Sequence, residues 1–426
     1  MSRSHVSVRR AAARAALCLL LPTALAPPAT AGRIVEQEGV IHVLNGAEPR
    51  DGGRTITLDE TWRVGGDDEE SLLLGLVTEV GGDADGNVYV MDAQLCQVHV
   101  FAPDGELLRT LFRQGEGPGE VYRPRDLVLL PDGVGLGEEF PGKITMVDYE
   151  GLPHGRIALG TGREGQAGNP ALTSAHCGGG NLVVSGVRIS RGEEPGTQKR
   201  INFLARFDRE GAETVRYLER RADYDFTDFT FSERLHTPSF WWGFTVGPDG
   251  RVYAAADNDR YAVSVFRPDG TLERVIEREC RLRRRGAEEI AAMRANYESA
   301  LNGAGIPFTL EISETDPAIS IWHRPLRVDA GGRLWVLASG GLHDQPEGVL
   351  CTYDVFDAEG HFVEQVSVRC EGDPDADVLF WITEDRIVLV TGYTGALAAQ
   401  FGRGSAVDAD EEEASPQEVV GFTVRR

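Results

Sequence analysis

A repeating pattern limits the fold of this chain more than any other feature. From Gly81 to Gly133 the sequence GGDADGNVYVMDAQLCQVHVFAPDGELLRTLFRQGEGPGEVYRPRDLVLLPDG holds two short alternating apolar runs, each bounded by a Gly turn. Val88 and Val90, then Val98 and Val100, keep the two-residue period of strands, and Asp85-Gly86 and Asp104-Gly105 supply the tight turns between them. The same two-turn grammar returns at Pro131-Asp132-Gly133 and Gly151, at Gly178-Gly179-Gly180 and Gly211, at Pro248-Asp249-Gly250 and Gly270, and at Ala330-Gly331-Gly332 and Gly360. A sixth, degraded copy begins at Glu384-Asp385 before RIVLVTG. First-turn spacings of roughly 50 to 80 residues make each copy one supersecondary unit of about four short strands. A four-stranded sheet cannot bury both faces alone, so the units must stack, and six closing into a ring leave no exposed ends. We therefore read the chain as all-β: a six-bladed β-propeller of four-stranded antiparallel blades.

The stretch GNVYVMDAQLCQVHVFAPDGELLRTLFRQGEGPGEVYRP resembles an NHL-type repeat, and the chain from about Leu58 onward is similar to the secreted six-bladed β-propeller proteins of bacteria. The likeness is strongest over 80–133, clear over 240–280 and 322–370, and faint in the third and sixth units. It implies a ring closed by pairing N- and C-terminal strands in one blade, for which TWRVGG and EVVGFTVRR are suited. It also implies that Asp92 and Asp257, each following the second strand of its unit, hold turns through backbone hydrogen bonds. The expected organisation is a leader over 1–31, an N-terminal extension over 32–57, and one propeller over 58–426. One inserted helix is expected over about 283–302, where Ile290, Met293, Tyr297 and Leu301 recur at three and four and Gly303 and Pro307 stop the run.

The leader reads as an export signal. Arg3, Arg9, Arg10 and Arg14 precede an apolar core from Ala15 to Ala26 and the small-residue site Ala29-Thr30-Ala31. The core is too short to span a bilayer comfortably, and no other run is long or apolar enough. Cys18 lacks the small-residue context of a lipoprotein cleavage site, so lipid anchoring is not expected, and Arg9-Arg10 is a weak twin-arginine signal. The mature chain is expected in the periplasm or outside the cell. A net charge of -24 argues against nucleic acid and anionic lipid as partners. Without Cys18, five scattered thiols remain, with no CxxC and no disulfide framework. Cys280 and Cys370 end matching runs and could pair if their Cα atoms lie within about 7 Å; buried or edge thiols are the plainer reading.

Several motifs that look chemical read more simply as architecture. Asp83-Ala-Asp85-Gly86-Asn87 has its Gly too early for an EF-hand and Gln94 where the closing Glu belongs, so a hairpin turn is expected. Gln114 to Glu120, QGEGPGE, lacks the Lys-Ser/Thr of a phosphate loop and reads as a joint between units. Asp408 to Glu418 reads as a solvated acidic loop. There is no GxSxG, no HExxH and no tight His cluster. A propeller nevertheless brings equivalent blade ends round one axis. The entries to the innermost strands carry Arg123 and Arg125, His176, Trp241 and Trp242, His323 and Arg324, and Trp381. Converging on one mouth, these would suit an anionic or planar ligand, Arg by its fork and Trp by its face; packing between blades is the competing explanation.

We take an exported, non-enzymatic binding propeller as the leading expectation, with a small ligand, peptide or protein partner at the channel mouth and no cofactor. A metal-dependent lyase or lactonase-type enzyme, using zinc or calcium, is the alternative implied by related six-bladed folds. A structural envelope component docking through the helix is a third.

Overall fold

The computed structural model describes residues 32–66, 72–160, 170–302, 307–321, 324–343, 345–402 and 416–425. The leader and most of the acidic loop at 408–418 lie outside them. In the first unit Val77–Gly82, Val88–Asp92, Gln97–Phe101 and Leu107–Leu111 pair as an antiparallel meander. The VYVMD strand is buried along its whole length. Val88 and Val90 pack towards the sixth unit and Tyr89 and Met91 towards the second, because both faces of each sheet are covered by neighbours. The turns form as their residues dictate. Asp83 accepts from the backbone N–H of Asp85 and Asn87 at 3.0 and 2.9 Å and from the Tyr89 hydroxyl at 3.1 Å. Asp92 gathers the N–H groups of Gly75, Leu76, Gln94 and Leu95 at 2.6–3.1 Å.

Four more meanders follow, beginning at Pro124–Leu130, Ala171–Gly178, Phe244–Val246 and Leu326–Val328. The sixth unit combines Val378–Trp381, Arg386–Val390 and Glu418–Arg425 with the N-terminal strand Gly53–Gly65. Six apolar clusters sit between successive units, and the one holding Val77, Val80, Val88, Phe380, Val388 and Val390 joins the sixth to the first. That contact closes the ring, and the fold is a β-propeller.

Residues 32–57, expected as an extension, are paired throughout their strands. Gly53 to Thr57 run parallel to Gln365–Arg369 of the fifth unit, and Thr57 to Gly65 run antiparallel to the C-terminal strand, so one strand stitches two units together. The hairpin Arg33–Gln37 and Val40–Asn45 adds itself to the outer strand Leu272–Arg278 of the fourth unit. Buried Asn45 pins it there, donating to the Glu277 and Gly360 carbonyls at 3.0 Å and accepting from the Phe362 N–H at 2.9 Å.

Two expectations need correction. The inserted helix runs Ala287–Asn302, not from 283. Arg283 and Arg285 are drawn out of it by Asp316 and Glu233, at 2.7–2.8 Å. It is not the sole helix, since Tyr393–Gly402 is helical and Glu233–His236 forms one turn; YTGALAAQFG is too short for its period to stand out. Cys280 and Cys370 are unpaired, in keeping with the plainer reading, the first exposed and the second buried with its thiol 3.1 Å from the Glu371 carbonyl.

Candidate functional site

The first strands of all six units surround one axis and line a cavity of about 350 Å³. Gly81 comes from the first unit, Leu129 from the second, His176 from the third, Val246 from the fourth, Arg327 from the fifth and Trp381 from the sixth. Each sits on an innermost strand for the reason the repeat predicts: the turn residues fix where each meander starts.

Where these strands begin, a buried charge cluster spans the axis. Arg324 precedes the first strand of the fifth unit with φ at 43°, a left-handed conformation that costs a non-glycine residue on the order of 1 kcal/mol. From there its Nη2 reaches across to the second unit, donating to Asp126 Oδ1 at 3.2 Å, and ion-pairs with Glu79 of the first. Asp126 also accepts from the backbone N–H groups of Leu127, at 3.0 Å, and Ala175. One guanidinium thus serves two buried carboxylates, and both cannot be ionised cheaply. Burial, opposed by Arg324 and reinforced by Asp126, lifts Glu79 to about 8. Burial also raises Asp126, against the pull of Arg324 and the Ala175 N–H. His176 packs on Phe244 with ring centroids 4.5 Å apart, and burial, then the Arg324 charge, holds its pKa well below the usual imidazole range. Burial thus favours the protonated carboxyl at both Glu79 and Asp126, Arg324 opposes it at both, and His176 is held neutral. Tyr393 closes this side, its hydroxyl donating to the Thr78 carbonyl at 3.0 Å.

Where the strands end, the wall is aromatic and cationic. The Arg327 guanidinium lies 4.1 Å from the Trp381 ring centroid and 5.0 Å from that of Trp335. Its Nη2 makes a 3.4 Å contact with Glu384 Oε1, the same oxygen that accepts from the Ala330 N–H at 3.0 Å. Its Nη1 is buried without a hydrogen-bond partner. Burial pulls the Arg327 pKa down, with Glu384 opposing. Between the two ends the lining mixes apolar residues, among them Val80, Leu127, Leu326 and Phe380, with Thr245, Gly81 and Gly82.

Of the residues expected at the mouth, His176, Arg324 and Trp381 line this cavity. Arg123 is exposed, its guanidinium 5.4 Å from the Tyr122 ring centroid. Arg125 turns to Glu139, 3.1 Å away, because strand alternation sends Asp126 rather than Arg125 towards Arg324. Trp241 and Trp242 meet edge to face at 5.7 Å, with Trp241 packed on the apolar cluster between the third and fourth units. His323 lies outside the described residues. Glu79, Asp126 and Arg327 were not anticipated. The available signal was a single acid inside an otherwise apolar run, in TEVGG and in RDLVLL, since a buried charge demands a partner.

These features define a β-propeller with an axial cavity, closed on one side by an arginine clasped between two carboxylates. No family model matches the chain, and no curated protein matches it. Among solved structures it is similar to a candidate exported protein of Bacteroides fragilis, at 10% identity and a TM-score of 0.46, over 90% of this chain and 99% of that one. It is also similar to a duf4221-family member from Bacteroides vulgatus, at 8% and 0.45, over 87% of this chain and 99% of that one. A third is virginiamycin B lyase from Staphylococcus aureus, at 10% and 0.37, over 84% of this chain and 98% of that one. The fold assignment rests on the strand pairing and the ring contacts themselves. No helix among the described residues is long and apolar enough to cross a membrane, and no group of three or more His, Cys, Asp or Glu side chains among them could hold a metal ion.

Proposed function

We propose that this is an exported six-bladed propeller with NHL-like repeats. It acts in the periplasm or outside the cell as a non-enzymatic receptor for a small ligand held in the axial cavity. The observation that carries this reading is the cavity, to which the first strands of all six units contribute and at whose ends Arg324 and Arg327 lie. At about 350 Å³ it falls in the size range of small-molecule sites and is too small for a folded partner. The charged groups at the clasp are engaged with one another, as suits a wall rather than reacting machinery. A thermal-denaturation screen of small metabolites against the mature chain tests it, with Gly81→Leu as the control. Gly81 lines the cavity without a positive φ, and a Cβ there meets Leu129 and Leu127 at ordinary contact distance, so a larger side chain should narrow the cavity without backbone strain. Compounds that stabilise the native protein but not the Gly81→Leu variant support the site; stabilisation that survives in that variant places binding elsewhere.

One observation favours a second reading, an enzyme on the same scaffold. Glu79, lifted to about 8, is a buried proton donor in the clasp beside the cavity, and general acids are tuned this way. A ligand found in the screen that is turned over by the native protein, and only bound by Glu79→Gln, would replace the receptor reading with this one.

A further inference from the structure

We infer that the ligand is a small organic monoanion, a carboxylate, and that Arg327, not Arg324, receives its charge. This deepens the axial-cavity reading and rests on it. Two arginines line the cavity, and their surroundings separate them. Arg324 is neutralised within the clasp by Asp126 and further engaged by Glu79, so it has no charge to offer without breaking a buried cluster. Arg327 is different. Its one carboxylate partner, Glu384, is 3.4 Å away, is itself about half exposed at 47%, and already accepts from Ala330. The Arg327 guanidinium is therefore less fully neutralised than that of Arg324, and an oxyanion entering the cavity would supply the missing countercharge.

The geometry also selects what is attached to the anion. The Trp381 and Trp335 rings carry the guanidinium on their faces, which holds its plane and directs its edge, where a carboxylate binds in a fork. Beyond it the wall mixes Val80, Leu127, Leu326 and Phe380 with His176 and Thr245 around a volume of about 350 Å³, which limits the anion to a small organic body. The charge is limited to one. A single under-neutralised cation balances a monoanion, whereas a phosphate monoester would bring a second negative charge beside Glu384, in a chain of net charge -24.

Isothermal titration of the mature chain at pH 7 with hexanoate and phenylacetate tests this, alongside their neutral amides and phenyl phosphate. The carboxylates should bind roughly ten- to a hundredfold more tightly than the amides, the range expected for a charge-assisted hydrogen bond. Phenyl phosphate should bind more weakly than phenylacetate. Arg327→Met, which keeps an unbranched stem over Trp381, should reduce carboxylate affinity to that of the amides, and Arg327→Lys should restore part of it. Circular dichroism and the unliganded melting temperature check that both variants fold; if either does not, the carboxylate-to-amide ratio in the native protein still decides. Amides binding as tightly as carboxylates, or Arg327→Met leaving carboxylate binding unchanged, would overturn the anion assignment while leaving the cavity reading intact. Phenyl phosphate binding as tightly as phenylacetate would overturn the monoanion limit. Absence of binding by every probe up to ~10 mM, a free energy below about 3 kcal/mol, would overturn the monoanion assignment and leave the receptor reading to the metabolite screen.

Discussion

Glu79→Gln is the most informative single substitution, because it separates a protonated acid from a buried ion pair. In the folded protein burial raises the Glu79 carboxyl from the ordinary 4.5 to about 8. The folded state therefore holds a proton that the unfolded chain releases between those two values. The stability associated with that proton is fully present below pH 4.5 and is lost as pH rises through about 8. At about 1.4 kcal/mol per pH unit the displacement is worth roughly 5 kcal/mol at most, and sharing of the proton with Asp126 lowers what Glu79 alone contributes. Glutamine has nearly the shape of the neutral acid and no proton to lose. The two proteins should thus be about equally stable at pH 5, with the glutamine variant more stable by a few kcal/mol at pH 9. Urea denaturation at constant ionic strength from pH 5 to 9 measures the difference without screening the clasp. A difference that stays flat with pH refutes the reasoning. So does a variant that is less stable at pH 9, since Glu79 would then be an ionised partner of Arg324.

Three further outcomes follow from the packing. Gly421→Ala would drive a Cβ into the Trp62 indole, which is fixed from behind by stacking on Phe101 at 5.6 Å, so it should loosen the closing strands. A loss of roughly 1–3 kcal/mol in urea unfolding is expected, and unchanged stability would show that the closure is not tightly packed. Asn45→Ala leaves the Phe362 N–H and the Gly360 carbonyl without their buried partner and should cost about 3 kcal/mol. Hydrogen exchange should show lost protection across 33–45, and unaltered protection there would refute its pinning role. Intact-mass measurement without reductant should find Cys280 and Cys370 both alkylatable, Cys280 first and Cys351 only on unfolding, its thiol pushed up to about 12 by burial. A 280–370 bridge in the native protein would contradict the structure.

The amino-acid sequence by itself determined the repeating unit and hence the propeller. Turn residues such as Asp83, Gly86 and Gly105 act within a few positions of one another, and so does the alternation of Val88 with Val90. The joint at Gln114–Glu120 was legible for the same reason, with Glu120 accepting from the Gly117 N–H at 2.8 Å. Closure by TWRVGG on EVVGFTVRR came through resemblance, and the strand register supports it. The attachment of hairpin 33–45 to the fourth unit was not legible, because Asn45 meets Glu277 and Gly360 only after more than two hundred residues have folded between them.

The site divides along the same line. Turn grammar located the blade entries, and so singled out His176, Arg324 and Trp381. Only tertiary structure decided that Arg125 turns to Glu139 while Asp126 turns to Arg324, and that Arg324 is spent on two carboxylates while Arg327 is not. Glu79, Asp126 and Arg324 lie on three different units, with 198 positions between the last two. Local pattern carries no information about charges that meet only when a ring closes, and their mutual field sets which of them is free to bind.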